Sequence, residues 1–295
     1  MFIVTLVAAD RLTKDDIYAA GEILERANVY AHHFAWIEEG SAADLECDCF
    51  AHELPRIREA LEGKLPGVDV IVHPQEGRRK KLLVADMDST MITVECIDEL
   101  ADYAGLKAEV AEITERAMRG ELAFEEALRA RVALLKGLKA NTIDRCREER
   151  VRLTLGARQL VRTMRREGAL TILVSGGFTR FADPVGEEIG FDRVLANRLR
   201  IEGGLLTGEV EPPIVGAEAK RLALIAGRDE RSLQPEETLA VGDGANDIPM
   251  LREAGLGVAF HAKPAAAEAA GARIVYNDLT ALLYAQGYKK AAWAD

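Results

Sequence analysis

Residues 84–90, VADMDST, decide how the chain is interpreted, because an apolar strand ends there abruptly in charge. The apolar run begins at Leu82, just after Lys81, and stops at Asp86 and Asp88, two aspartates one residue apart. A run this short and this continuously apolar is typical of a parallel strand covered on both faces. The charge at its tip therefore indicates a strand that ends in a functional site.

Further strand-like runs follow at intervals that predict an α/β fold. They read ALTILVSG at 169–176, ETLAVGD at 237–243 and LGVAF at 256–260. Helical patterns separate them, including GARQLVRTMRREG at 156–168 and AEAKRLALIAG at 217–227. Alternation of this kind predicts a doubly wound parallel sheet with helices on both faces.

The connection between the first two of these strands is too long for a single crossover helix. Residues 91–168 lie between them and carry mostly helical patterns, whereas one crossover needs far fewer residues. We therefore predict a helical cap inserted after the first strand, at about 93–152.

Residues 1–76 are predicted to form a domain of their own. FIVTLVA at 2–8 and VDVIVHP at 68–74 predict strands, two more strands fall within 30–52, and helical patterns lie between. The resulting order, β-α-β-β-α-β, is that of the ferredoxin-like fold. Residues 77–295 are assigned to the α/β domain.

Composition sets broad limits on what the chain does. It has 295 residues, 48% of them hydrophobic, and a formal net charge of −11. An acidic chain is a poor partner for nucleic acid, whose phosphates attract clustered lysine and arginine. No apolar run reaches the length of a transmembrane helix. We expect a soluble cytoplasmic protein that binds neither nucleic acid nor membrane.

Two smaller patterns are interpreted as structural. The basic run from Arg78 to Lys81 is predicted to be a solvated linker ahead of the buried strand. Cys47 and Cys49 are close enough for a metal pair, but no second Cys/His pair at zinc-like spacing accompanies them. We predict that these two cysteines are buried thiols.

The strand ends supply polar residues suited to phosphate-ester chemistry. Ligands in open α/β sheets bind beyond the carboxyl ends of the strands. Clustered carboxylates repel each other there, and Mg²⁺ relieves the repulsion because it binds one or two carboxylates together with substrate phosphate. An aspartate at a strand tip can act as a nucleophile, and a neighbouring one can transfer protons. The set comprises Asp86, Asp88, Ser175, Gly176, Gly177, Lys220, Asp243, Asn246 and Asp247.

Each motif has an ordinary explanation when it is taken alone. The Asp86 and Asp88 pair also fits a surface turn, SGG at 175–177 is a common turn, and Lys220 is typical of a solvated helix face. The joint occurrence of these motifs, each at a strand end or a helix start, is what indicates a shared site.

The same motifs resemble the four signature motifs of the haloacid-dehalogenase-like (HAD) superfamily of aspartyl-phosphate phosphotransferases. They are DMDST at 86–90, SGGF at 175–178, Lys220 and GDGANDIPM at 242–250. Longer stretches within 82–285 are similar to the phosphoserine phosphatase family of that superfamily. The resemblance implies a HAD-like (Rossmannoid) fold, Mg²⁺ as cofactor, and hydrolysis of O-phosphoserine to serine and phosphate, the last step of serine biosynthesis.

The resemblance also implies a role for each matching residue. Asp86 corresponds to the nucleophile and Asp88 to the general acid and base, and both are Mg²⁺ ligands, Asp88 through its backbone carbonyl. Asp243 corresponds to the third metal ligand, and Asp247 to a carboxylate that orients metal-bound water. Residues implied to hold the substrate are Glu95, Arg131, Ser175, Gly176, Lys220 and Asn246, with Met118 and Phe124 shielding the site from the cap.

The pair that would recognise the amino acid also makes sense from charge alone. Arg131 can form two parallel hydrogen bonds with a substrate carboxylate, and Glu95 can accept a substrate ammonium. Either residue alone is more typical of an exposed, charged helix face.

Other functions fit some of the same motifs. A phosphotransferase that acts on another small alcohol, or a phosphatase for another phosphorylated amino acid such as phosphohomoserine, would use the same site. A P-type cation pump shares GDGAND but needs membrane-length helices. A non-catalytic amino-acid sensor would not need all the polar positions of the site, which are intact here.

The N-terminal domain resembles an ACT-type regulatory module in its strand order. Such modules often bind amino acids and pair across a dimer, which would make the protein a homodimer. The segment AADRLTKDD at 8–16 lacks the glycine that many ACT domains carry in the first turn. A purely structural or dimer-forming role is therefore at least as consistent with the sequence.

Overall fold

Two β-sheets organise the chain. The computed structural model describes residues 1–118 and 121–295, without the side chains of Ala51 and Met118. A four-stranded sheet forms within residues 2–74, and a seven-stranded sheet forms within residues 82–274. Within the described residues, no helix combines the length and the apolar composition needed to cross a bilayer.

The N-terminal sheet has the predicted order of elements. Its elements are β1 (Phe2–Ala8), α1 (Lys14–Arg26), β2 (Ala31–Glu38), β3 (Ala42–Cys47), α2 (Leu54–Leu61) and β4 (Val68–Pro74). The strands are antiparallel to their neighbours in the order β2-β3-β1-β4. This small antiparallel domain confirms the fold class predicted for the N-terminal part, while its likeness to ACT modules stays a prediction.

The second sheet confirms the predicted doubly wound fold. Its strands are β5 (Leu82–Ala85), β6 (Leu170–Phe178), β7 (Arg193–Glu202), β8 (Leu205–Glu211), β9 (Thr238–Gly242), β10 (Leu256–Phe260) and β11 (Ala272–Ile274). They lie in the order β11-β10-β9-β5-β6-β7-β8, all parallel except β8. The hairpin of β7 and β8 is missing from the sequence-based prediction, because much of it is exposed and it lacks a continuous apolar run.

Helices fill the long gap after β5 and cover both faces of this sheet. Four of them follow β5: α3 (Cys96–Tyr103), α4 (Lys107–Met118), α5 (Phe124–Leu134) and α6 (Asn141–Arg150). The others are α7 (Ala157–Arg166), α8 (Thr179–Ile189), α9 (Ala217–Glu230), α10 (Ile248–Glu253), α11 (Pro264–Ala269) and α12 (Ala281–Ala285). The first four of these helices, α3 to α6, lie within the range of about 93–152 that was assigned to the cap, and α7 lies outside it.

Both faces of the N-terminal sheet carry buried apolar residues, although most residues of β2 at its edge are exposed or half-buried. On one face, Leu6, Leu24 and Ile57 belong to a core that the sheet shares with α1 and α2. On the other face, Val7 and Ile71 belong to the same apolar core as the larger sheet. All seven residues of β1 are therefore buried, and the small sheet is packed into the rest of the chain.

Hydrogen bonds fix this packing. The buried carboxylate of Asp69 accepts the backbone N–H groups of Val275 at 2.8 Å, Tyr276 at 3.1 Å and Asn277 at 2.9 Å, and also the side-chain amide of Asn277 at 2.9 Å. The same amide donates to the carbonyl of Val7 at 2.9 Å. A single carboxylate thus accepts hydrogen bonds from three consecutive backbone N–H groups of the segment after β11.

The prediction that residues 78–81 are a solvated linker is wrong for Arg78 and Lys80, whereas Arg79 and Lys81 are exposed. Arg78 pairs with Asp44 at 2.7 Å and donates to the carbonyl of Ala285 at 2.9 Å, with only 19% of its side chain exposed. Lys80 is buried, and its ammonium donates to two carbonyls, those of Gly77 and Glu236. The run is basic because it joins the two sheets through buried acceptors.

The prediction that both cysteines are buried thiols is confirmed for Cys47 but only in part for Cys49. Cys47 lies in β3 and is buried, whereas Cys49 lies beyond the end of that strand and is half-buried. The strand ends at Cys47, so the two side chains do not share one strand face. Both thiols are free.

Candidate active site

The register of the parallel strands brings the predicted residues together at one edge of the larger sheet. Ala85, the last residue of β5, is paired with Leu173 of β6 and Val241 of β9. The N–H of Asp86 continues this ladder by donating to the carbonyl of Val241 at 3.0 Å. The residues that follow, Asp86 after β5 and Asp243 after β9, therefore leave the sheet side by side.

Three buried carboxylates converge at this edge. Single oxygens of Asp86, Asp243 and Asp247 all lie within 4.8 Å of one another. Burial, and then the neighbouring charge of Asp247, raise the pKa of Asp86. Burial also raises the pKa of Asp243. Taking three anions out of water is costly, so the cluster requires a compensating cation.

Lys220 supplies part of that compensation. It lies near the start of α9, is fully buried, and places its ammonium 2.5 Å from Asp86 Oδ1 and 2.6 Å from Asp247 Oδ1. Burial lowers the pKa of Lys220, but the charges of Asp247 and Asp86 outweigh burial and raise it overall. The lysine is therefore charged, and it ties the strand-end aspartate to the loop after β9.

Asp88 lies on the wall of the site with both carboxylate oxygens hydrogen-bonded. The N–H of Cys96, at the start of α3, donates to Oδ1 at 2.9 Å, and the hydroxyl of Ser175 donates to Oδ2 at 3.4 Å. Burial, followed by the charge of Glu95, raises the pKa of Asp88 to about 6, against the lowering effect of the Cys96 hydrogen bond. A carboxyl group with such a pKa can both give and take a proton near neutral pH.

The loop after β6 is shaped by small residues. The hydroxyl of Ser175 accepts the N–H of Gly177 at 2.8 Å, and a Cβ atom at Gly177 would lie only 2.9 Å from Asp88 Oδ2. Glycine is therefore required there for the backbone to approach the carboxylate. Asn197 holds the loop from β7, since its amide donates to the carbonyls of Gly176 at 2.9 Å and Val215 at 3.1 Å.

Charged residues from the inserted helices also line the site. Glu95 caps α3, and its carboxylate accepts the hydroxyl of Ser89 at 2.9 Å. Arg131 projects from α5, where its Nε donates to the carbonyl of Ala127 at 3.3 Å. Burial lowers the pKa of Arg131, while Asp98 and Glu95 oppose that effect. The two charges predicted to recognise an amino acid thus face the site from neighbouring helices.

A small cavity of about 100 Å³ lies between these walls. The aromatic ring of Phe124 closes one side, at 3.3 Å from where a Cβ of Gly176 would lie. Of the predicted residues, Ser175, Lys220 and Asp247 lie beneath the cavity, and the side chain of Met118 lies outside the described residues. Those that line the cavity are Asp86, Asp88, Glu95, Phe124, Arg131, Gly176, Gly177, Asp243 and Asn246. A larger cleft of about 950 Å³ elsewhere in the molecule is lined by none of the predicted site residues.

Two residues of the site have no assigned role in the sequence-based prediction. Lys263 also lines the cavity, with its ammonium 3.5 Å from Asp243 Oδ2 and 3.7 Å from Glu95 Oε1. It follows β10, so the strand-end reasoning that located Asp86 could have located it too. Asn197 lies in the unpredicted hairpin, and no local pattern marks it.

The site residues fit a divalent metal ion. Asp86, Asp243 and Asp247 present carboxylate oxygens, which are the preferred ligands of Mg²⁺, and their mutual repulsion favours a hard cation. The side chain of Asp88 is not part of that cluster. A magnesium ion held there would neutralise the charge that Lys220 leaves uncompensated.

The chain thus combines a parallel α/β sheet with a cluster of carboxylates beyond the ends of its strands. Residues 83–252 match the family model described as haloacid dehalogenase-like hydrolase. The chain therefore belongs to the haloacid dehalogenase-like hydrolases and groups within them with the phosphoserine phosphatases, as its motifs predict. It is an enzyme of the phosphatase class.

Three relatives illustrate this membership. A phosphoserine phosphatase of Polaromonas is 48% identical over 69% of this chain and 88% of its own length. One from Archaeoglobus fulgidus is 43% identical over 77% of this chain and 66% of its own length. The crystal structure of a probable phosphoserine phosphatase from Vibrio cholerae superimposes with a TM-score of 0.74 and 34% identity, over 99% of this chain and 87% of that one. The last comparison includes the N-terminal domain as well.

Proposed function

We propose that this enzyme hydrolyses O-phosphoserine to serine and phosphate with Mg²⁺, through an aspartyl-phosphate on Asp86, and that this reaction completes serine biosynthesis. The observation that carries the proposal is the pairing of charges across one small cavity. Asp86 and Asp88 line this cavity together with Glu95 and Arg131, which come from the inserted helices. Phosphoserine carries matching groups, with a phosphate at one end and an ammonium and a carboxylate at the other.

The first half-reaction transfers the phosphoryl group to the protein. A carboxylate oxygen of Asp86 attacks phosphorus in line, and the bond from phosphorus to the serine oxygen breaks. Asp88, with its pKa raised to about 6, gives its proton to the leaving serine oxygen. Lys220 stabilises the charge on the transferred group from its position 2.5 Å from Asp86.

The second half-reaction returns the protein to its starting state. Asp88, now ionised, takes a proton from water, and the resulting hydroxide attacks the aspartyl-phosphate and releases phosphate. Asp86, Asp243 and the backbone carbonyl of Asp88 would hold the metal, with Asp247 orienting metal-bound water. A bound Mg²⁺ ion supplies charge neutralisation of the phosphoryl oxygens.

The proposal includes the organisation of the chain. Residues 1–76 form one domain and residues 77–295 the catalytic domain, with the cap at about 93–152 closing over the substrate. Phe124 supports the cap assignment, because its ring reaches from α5 to within contact distance of Gly176. We also propose a cytoplasmic homodimer in which the N-terminal domains pair. The open edge of β2 in the small sheet supports such pairing.

A substrate panel tests the proposal. Phosphate release is measured from phosphoserine, phosphothreonine, phosphohomoserine and a sugar phosphate, each with Mg²⁺ and with EDTA. We expect fast, Mg²⁺-dependent release from phosphoserine, which Asp86→Asn abolishes. The matched control Asp10→Asn changes an exposed aspartate that does not line the cavity and should retain full activity. Equal rates on all four esters would contradict substrate selection by Glu95 and Arg131. Faster release from phosphohomoserine would favour a phosphatase specific for that amino acid.

A further inference from the structure

Lys263 is placed to act on the metal half and the amino-acid half of the site at once. Its ammonium lies 3.5 Å from Asp243 Oδ2 and 3.7 Å from Glu95 Oε1. Asp243 belongs to the carboxylate cluster, and Glu95 is the proposed acceptor of the substrate ammonium. These distances are those of ion pairs and exceed those of tight hydrogen bonds.

The backbone of Lys263 is fixed by a hydrogen bond, while its side chain is half exposed. The N–H of Lys263 donates to the carbonyl of Asp243 at 2.9 Å, and Pro264 starts α11 directly afterwards. The ammonium therefore folds back onto the residue that anchors its own backbone. About half of the side chain is exposed, at 55%, in contrast to the fully buried Lys220.

The charges around the cluster show what this lysine compensates. Lys220 bonds to Asp86 and Asp247, which leaves Asp243 without a contact from that ammonium. Thr90 approaches Asp243 Oδ1 at 3.5 Å, but a hydroxyl carries no charge. The positive charge beside Asp243 comes from Lys263.

We propose that Lys263 is a positioning residue that serves as an internal counter-ion, competes with the divalent metal for Asp243, and passes to Glu95 when the metal binds. The inference rests on the proposed function for the roles of Asp243 and Glu95. In the metal-free protein, the ammonium offsets part of the negative charge of the carboxylate cluster. In loaded protein, it holds the Glu95 carboxylate together with the Ser89 hydroxyl, which bonds to Glu95 at 2.9 Å.

Electrostatics gives the expected size of the competition. The ammonium lies 3.5 Å from Asp243 Oδ2, and a metal bound to that oxygen would lie a further ~2 Å away. A single charge and a double charge about 5.5 Å apart repel by about 1.5 kcal/mol in water, which changes an affinity about tenfold. Salt screens this effect because the side chain is exposed.

Calorimetric titration with Mg²⁺, in the absence of substrate, tests the inference. At low ionic strength, Lys263→Met should bind Mg²⁺ about tenfold more tightly than the unmodified protein, and Lys263→Arg should bind it about equally. Lys14→Met, which removes an exposed lysine from α1 in the N-terminal domain, should leave Mg²⁺ binding unchanged. Unchanged or weaker Mg²⁺ binding by Lys263→Met would overturn the inference.

A double-mutant cycle tests the second half of the inference. Glu95→Gln removes the alternative partner of Lys263, so the ammonium stays on Asp243 and Mg²⁺ binds more weakly. The weakening should be at least about twofold greater in the parent than in Lys263→Met, where no ammonium is left to compete. Equal weakening in both backgrounds would show that Lys263 does not move between the two carboxylates.

These binding results are separate from the test of the proposed function. If the parent hydrolyses phosphoserine and Lys263→Met shows no gain in Mg²⁺ affinity, the counter-ion role is wrong and the function stands. If the parent hydrolyses none of the phosphate esters but Lys263→Met binds Mg²⁺ more tightly, the proposed function is wrong and the counter-ion role stands.

Discussion

Replacement of Lys220 by methionine should destabilise the metal-free protein strongly and in a pH-dependent way. The ammonium is fully buried and bonds to Asp86 at 2.5 Å and Asp247 at 2.6 Å. Its removal leaves two neighbouring carboxylates in the interior without a cation. Breaking a buried ion pair from one side typically costs about 3–5 kcal/mol, and the expected loss in the free energy of unfolding falls in that range.

The pH dependence follows from the direction of the carboxylate pKa. Burial already raises the pKa of Asp86 above its usual range, and loss of Lys220 removes an opposing effect. A carboxyl group whose pKa is raised in the folded state favours folding at low pH and loses that contribution as the pH rises through the folded value. The deficit of the Lys220→Met variant should therefore be greatest near neutral pH and shrink toward about pH 4.

Urea unfolding in EDTA, at several pH values, measures this effect. Arg221→Met is the matched control, because it removes a cation from the solvent side of the same helix and should leave stability near the parent value. Added Mg²⁺ should restore part of the stability of Lys220→Met, since the metal replaces the missing charge. A variant as stable as the parent in EDTA near neutral pH would refute the claim that Lys220 neutralises the cluster.

Three further predictions concern other parts of the molecule. Asp69→Asn places an amide among four N–H donors and should lower the free energy of unfolding by about 2–4 kcal/mol, as measured by urea unfolding. Arg131→Lys loses the planar fork and should raise the KM for phosphoserine about tenfold, with little change for p-nitrophenyl phosphate; equal effects on both esters would contradict the assignment. Burial lowers the pKa of His73 to about 4, so the parent should lose about 3 kcal/mol relative to His73→Gln between about pH 6.5 and 4, because the unfolded chain binds the proton first. Parallel pH profiles for parent and variant would show that His73 is not responsible.

The polar residues at the strand ends can be predicted from the sequence because their positions depend on local order along the chain. Asp86 and Asp243 each follow a short apolar run, and parallel pairing forces such positions together. The sequence also predicts that Lys220, near a helix start, joins the shared site, and the structure brings it to Asp86 and Asp247. The fold class was predictable for the same reason, since the alternation of strands and helices fixes the sheet.

The rest depended on contacts between distant residues. The charge of Lys80 predicts exposure to solvent, but the carbonyls of Gly77 and Glu236 accept hydrogen bonds from its ammonium in the interior. The buried position of Lys80 therefore needs a partner 156 residues away along the chain. Asn197 donates a hydrogen bond to the carbonyl of Gly176 from a hairpin with no continuous apolar run, so no periodic pattern marks Asn197. Tertiary hydrogen bonds of this kind leave no local signature.

The contacts of Asp69 have a consequence for how the chain is synthesised. Its partners, Val275 to Asn277, are more than 200 residues later, so they leave the ribosome long after the N-terminal sheet has been made. One apolar face of that sheet, including Val7 and Ile71, therefore stays uncovered during most of translation. The small domain can form early, but its docking is among the last events, and a nascent chain stalled before residue 275 would present this face to chaperones.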